Sequence, residues 1–84
     1  MTAYALQKLI REVNRNVDTR ARFFESPQAV AQEYDLTASE RAALIERDYG
    51  ALYALGVHGL LLRPFSILHE VPEADYLRAI RKER

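Results

Sequence analysis

Apolar residues near the start of the chain recur three and four positions apart: Leu6, Leu9, Ile10, Val13 and Val17. At 3.6 residues per turn they fall along one face of a first helix, while Lys8, Arg11, Glu12 and Arg15 occupy the rest. That face is expected in the core. Asp18 is placed to cap a short second helix carrying Phe23 and Phe24. Ser26-Pro27 then supplies a capping hydroxyl followed by proline at the first helical position, opening a third helix through Ala29, Val30 and Tyr34. Thr37-Ala38-Ser39-Glu40 has the spacing of a capping box, in which hydroxyl and carboxylate each satisfy an unpaired backbone donor. This is the firmest boundary in the chain.

Ala42, Ala43, Leu44 and Ile45 build a fourth helix beyond it. Asp48 restarts a turn through Tyr49, Leu52, Tyr53 and Leu55, which Gly56 stops by taking a left-handed conformation. Val57-His58 is predicted as an irregular loop. Pro64 suits the first turn of a helix beginning near Arg63 and would kink one begun at Leu60, so the pattern leaves that boundary open. Pro72 opens a last helix in which Tyr76, Leu77 and Ile80 face inward, and Arg78, Arg81, Lys82 and Arg84 crowd the negative pole of the helix dipole. No alternating Val/Ile/Thr run, hairpin dipeptide, repeat or linker interrupts this order. The prediction is an all-α bundle of about five to six short helices, folded as one domain over residues 1–84.

One segment stands apart. Gly56 to His69 holds both histidines, two of the three glycines and the longest apolar run. If helical, Leu60, Leu61, Leu62, Phe65, Ile67 and Leu68 cover nearly the whole circumference. A chain of 84 residues buries only about 60% of its unfolded surface and cannot enclose all of them. The segment reads as a surface made to meet a partner.

Composition narrows what that partner is. Twelve basic residues balance twelve acidic ones, so no net field gathers phosphate backbone or an anionic membrane, and nucleic acid is not expected. The absence of cysteine removes disulfides, thiolate ligands and a cysteine nucleophile together, and matches a reducing, cytoplasmic setting. Arg63 and Pro64 break the best candidate for a membrane span. Catalytic chemistry is also sparse. His58, His69 and Glu70 are the ligand types of a two-histidine, one-carboxylate iron site, but neighbours at 69 and 70 diverge on a helix, so no metal site is assigned to this chain. Ser26, Ser39 and Ser66 lack a nucleophile-elbow context. Glu33, Glu40, Glu46 and Asp48 lie among cations on polar faces, where solvated charge is the ordinary outcome. No catalytic residue is assigned.

Three stretches carry a family likeness. They are Asn14-Arg15-Asn16-Val17-Asp18-Thr19-Arg20-Ala21-Arg22-Phe23, then Glu33 to Thr37 with Glu40 to Tyr49, then Ala51 to His58. Together they resemble the small alpha subunit, LigA-like, of protocatechuate 4,5-dioxygenase-type enzymes, over about Leu6 to Phe65. The most specific parts are the leucine-threonine helix start, the arginine-aspartate-aromatic step and the glycine-valine-histidine loop. The resemblance implies a helical, noncatalytic subunit of a class III extradiol dioxygenase. Its larger beta subunit holds non-haem Fe(II) through two histidines and a glutamate and opens a catecholic ring with dioxygen, in a heterotetramer of two alpha and two beta subunits. The alpha chain itself carries no cofactor and covers the beta active site. Its compact length is similar to small subunits of enzymes such as 2'-aminobiphenyl-2,3-diol 1,2-dioxygenase.

On that basis Val57 to Leu68 is expected against the beta subunit, with Val57, Leu61, Leu62, Phe65 and Leu68 as apolar anchors. His58, Phe65 and His69 would form a lid near the substrate mouth, excluding water and shaping the pocket. Competing readings stay open: a helix cap for His58, and ordinary burial for the leucines. Two further functions compete with the dioxygenase. One is a recognition domain of a borosin-like peptide-modification system, to which standalone domains of this kind are also similar. The other is a homo-oligomeric interaction module.

Overall fold

A computed structural model describes residues 4–82. Among them are seven helices and no strand: α1 (Tyr4–Arg15), α2 (Val17–Glu25), α3 (Pro27–Ala31), α4 (Ala38–Glu46), α5 (Tyr49–Ala54), α6 (Gly59–Leu68) and α7 (Glu73–Lys82). The bundle is all-α, as the periodicity predicts, with two helices of five and six residues added to five longer ones. α1 packs on α2 and α6, while α5 joins α4, α6 and α7.

The amphipathic face of α1 is the base of the core, with Leu6, Leu9, Ile10 and Val13 fully enclosed. Val17 departs from that expectation and is 70% exposed, because α1 stops at Arg15 and Val17 opens α2 in a new direction. Asn16 makes the break, its side chain accepting from the amides of Asp18 and Thr19, so it caps α2 in place of Asp18. Arg20 seals the other side of the break. Its Nε donates to the carbonyl of Val13 at 3.0 Å and its Nη2 to that of Asn14 at 2.6 Å, taking up carbonyls left unpaired at the end of α1.

α3 starts at Pro27 as predicted, although the Ser26 hydroxyl makes no capping bond. α3 ends at Ala31, short of Tyr34. At Thr37 both halves of the capping box form, the Thr37 hydroxyl accepting from Glu40 N and the Glu40 carboxylate from Thr37 N. In α7, Tyr76 and Ile80 are buried while Leu77 remains 38% exposed, against its expected inward position. Arg84 and the Lys82 side chain, expected at the end of this helix, lie outside the described residues.

Three helices end by one device. At Arg47, Gly56 and Glu70 the chain turns left-handed with φ of 57°, 111° and 60°. The following amide then reaches back five residues, from Asp48 to Ala43 (2.9 Å), Val57 to Leu52 (3.1 Å) and Val71 to Ser66 (3.0 Å). Gly56 takes this conformation without penalty. Arg47 and Glu70 carry a Cβ into it at a cost of order 1 kcal/mol each.

α6 resolves the open boundary. It begins at Gly59 and carries Pro64 in its interior. Pro64 is exposed, so the missing amide and the Leu60 carbonyl it would have paired face the solvent side. Next to it, the buried Ser66 hydroxyl donates to the Arg63 carbonyl at 2.7 Å and accepts from the Arg63 guanidinium at 2.9 Å. No described helix is long and apolar enough to cross a membrane.

Candidate functional site

Because side chains on a helix repeat every three to four residues, the greasy run of α6 divides into two faces. Leu62, Phe65 and Ser66 point inward and are wholly enclosed, with His69 following one turn later. Phe65 sits among rings, its centroid 5.7 Å from Phe23, 6.4 Å from Tyr49 and 4.6 Å from His69. Leu60, Pro64 and Ile67, spaced four and three apart, form the opposite ridge. Leu60 is 80% exposed and Ile67 55%. Leu61 and Leu68 lie half-buried on the flanks.

This division corrects the expected anchors. Val57, Leu62 and Phe65 belong to the chain's own core and present nothing to a partner. Phe65 is likewise removed from any lid, since filling the space between α2 and α5 leaves it no free surface. The expectation that the segment exceeds what the fold can enclose applies to Leu60 and Ile67 instead. Their spacing with Pro64 is the signal that identifies them, because proline inside a helix is tolerated where its missing bond faces water.

The two histidines occupy opposite ends of α6, about 16 Å apart along its axis. They cannot share a metal ion, and no group of three or more His, Asp or Glu among the described residues could hold one. His58 is exposed and caps the helix, its Nδ1 accepting from the Leu60 amide at 3.0 Å. Its own amide donates to Gln7 Oε1 at 3.0 Å, tying the loop to α1. With Nδ1 an acceptor, the neutral ring carries its proton on Nε2. Asn14 makes a second tie, its Nδ2 donating to the Leu61 carbonyl at 3.0 Å.

His69 turns inward, away from any surface lid. Its Nδ1 lies 2.6 Å from the Tyr49 hydroxyl, and rings of Phe23, Phe24, Tyr49 and Phe65 surround it. Burial lowers its pKa to about 4, with the Arg47 guanidinium adding to the effect, and burial pushes Tyr49 up to about 12. Both groups are therefore neutral near pH 7. The Tyr49 hydroxyl makes no other hydrogen bond among the described residues, so donation to Nδ1 leaves one group unpaired, the buried Nε2–H. The reverse arrangement would strand two. Periodicity places neither Tyr49 nor Phe24 beside His69, because these contacts join residues about 20 and 45 positions apart.

A groove of about 690 Å³ opens between the start of α1 and the α3–α4 connection. Tyr4, Lys8, Tyr34 and Asp35 line it, and none of the predicted site residues does.

A family model described as "Aromatic-ring-opening dioxygenase LigAB, LigA subunit" matches residues 6–82. The chain belongs to the LigA family. By that description LigA is one subunit of a heteromeric ring-opening dioxygenase, and the match extends past Phe65 through α7. Neither the curated proteins nor the solved structures contain a match to this LigA-family chain. In its own structure, this LigA-family chain leaves the Leu60 and Ile67 ridge of α6 exposed, with His58 at its N-terminal end.

Proposed function

We propose that this chain is the noncatalytic alpha subunit of an extradiol dioxygenase and that it docks, by the outer ridge of α6, over the active site of a larger beta subunit. The beta subunit carries the non-haem Fe(II) and binds the catecholic substrate. The observation that carries this reading is a ridge of Leu60, Pro64 and Ile67 left in water by a LigA-family chain that encloses seventeen other apolar side chains. Covering Leu60 and Ile67 is worth about 1.5–3 kcal/mol per side chain, which favours a docked state. His58 lies exposed at the N-terminal end of the same ridge, and its Nε2–H, not used by the cap, can donate to an oxygen at the mouth of the partner's site. This chain supplies apolar cover and one hydrogen-bond donor. Iron chemistry belongs to the partner, and the alpha subunit would keep bulk water from the reacting centre.

The test is coexpression with a candidate large subunit, one that carries the two-histidine, one-glutamate iron site. Copurification, and loss of ring cleavage when the small chain is omitted, are expected. Leu60→Asp should leave the isolated chain folded, since its side chain touches solvent, yet weaken assembly at least tenfold by placing a carboxylate in an apolar contact. Full activity of the large subunit alone would overturn the reading. So would a Leu60→Asp chain that assembles as well as wild type.

A further inference from the structure

Arg47 and Glu70 are the two non-glycine residues with left-handed backbones among those described, and both line one small cavity. Phe24, Leu68 and His69 complete it, around a space of about 210 Å³ that opens to solvent. Glycine would end α4 and α6 with less strain, as Gly56 ends α5. Capping therefore does not account for an arginine and a glutamate at these positions. Neither side chain forms an ion pair or a hydrogen bond among the described residues.

We infer that this cavity binds a small molecule combining one carboxylate with a short apolar body. The carboxylate would lie on the Arg47 guanidinium, whose planar fork matches two oxygens. The apolar body would rest on Phe24, which is 40% exposed, and Leu68. His69 Nε2–H, held as a donor by Tyr49 and lacking an acceptor, gives the ligand a second hydrogen bond. That nitrogen has no water-accessible surface, so the ligand reaches it when the Glu70 side chain, exposed at the rim, swings aside while Phe24 stays in place. Glu70 at the rim repels a dianion more strongly than a monoanion, which favours a carboxylate over phosphate. The volume is below that of pockets for drug-sized molecules and suits a single ring.

This site is separate from the α6 ridge, and no part of it rests on the dioxygenase reading. The probe is benzoate, added to the full 84-residue chain, with acetate and inorganic phosphate as comparisons. Benzoate should bind with a Kd of about a millimolar, as a ligand of that size can, raise Tm, and shift the His69 Nε2 resonance. Arg47→Gly keeps the left-handed turn and relieves its strain, so the variant should melt higher than wild type while binding benzoate at least tenfold more weakly. Loss of binding in that variant cannot be laid to unfolding. Benzoate that leaves wild type unchanged, or binds Arg47→Gly equally well, would overturn the site. Phosphate or acetate binding as tightly as benzoate would overturn the ligand class.

Discussion

His58 and His69 stand at the two ends of one ten-residue helix, and their chemistry has diverged completely. His58 lies in water, its ring turned back to satisfy the first amide of α6, with one N–H left for something outside. His69 lies against four aromatic rings with its ring turned to Tyr49, and burial holds it neutral well below the usual imidazole range. Neither the residue type nor the helix position explains the contrast. What differs is the neighbour: the N-terminal end of α6 meets a polar side chain of α1, Gln7, while the C-terminal end closes over Phe23, Phe24 and Tyr49. A histidine in an apolar segment is thus a ligand candidate, a cap or a core residue according to what folds against it.

The largest way to break this contrast is to remove the ring that holds the His69 end together. Phe65→Ala should cost about 3–5 kcal/mol, comparable with the whole stability of so small a domain, and chemical denaturation would register it as loss of the cooperative transition. A variant folded as stably as wild type would mean that the aromatic cluster does not anchor α6.

Acid probes the same end more gently. The folded pKa of His69, about 4, lies below the unfolded value of 6.5, so between these pH values the unfolded chain binds a proton that the folded chain refuses. Its contribution is complete above about pH 6.5 and is lost as the pH falls toward 4, by about 1–2 kcal/mol once solvent screening is allowed for. Denaturation midpoints measured across that window should fall, and His69→Phe should flatten the dependence. Tyr49 acts at the other extreme, its raised pKa favouring the folded state up to about pH 10 and losing that effect as the pH rises through about 12.

His58→Ala should have the smallest effect on the isolated chain, about 0.5–1 kcal/mol from the lost cap, seen as a few degrees in Tm. In the assembled enzyme the same change should alter turnover more than assembly. Unchanged kinetics with an intact complex would reduce His58 to its capping role and remove the functional half of the contrast.

Local rules were enough for much of this molecule. Thr37 and Glu40 cap α4 because a capping box needs only four residues of chain, and Gly56 ends α5 because the left-handed turn is a property of one backbone unit. The buried face of α1 follows from spacing alone as far as Val13. Even the surplus of grease in α6 was a matter of counting, since so few residues cannot enclose a helix apolar all round. Which of those side chains stayed outside was beyond such rules. Inward or outward rotation of α6 depends on where α1, α2 and α5 press on it, and those contacts join positions up to about fifty residues apart. Tertiary packing therefore sent Val57, Leu62 and Phe65 into the core, left Leu60 and Ile67 in water and paired His69 with Tyr49. Periodicity fixes which residues share a face, and only the neighbours decide what each face will touch.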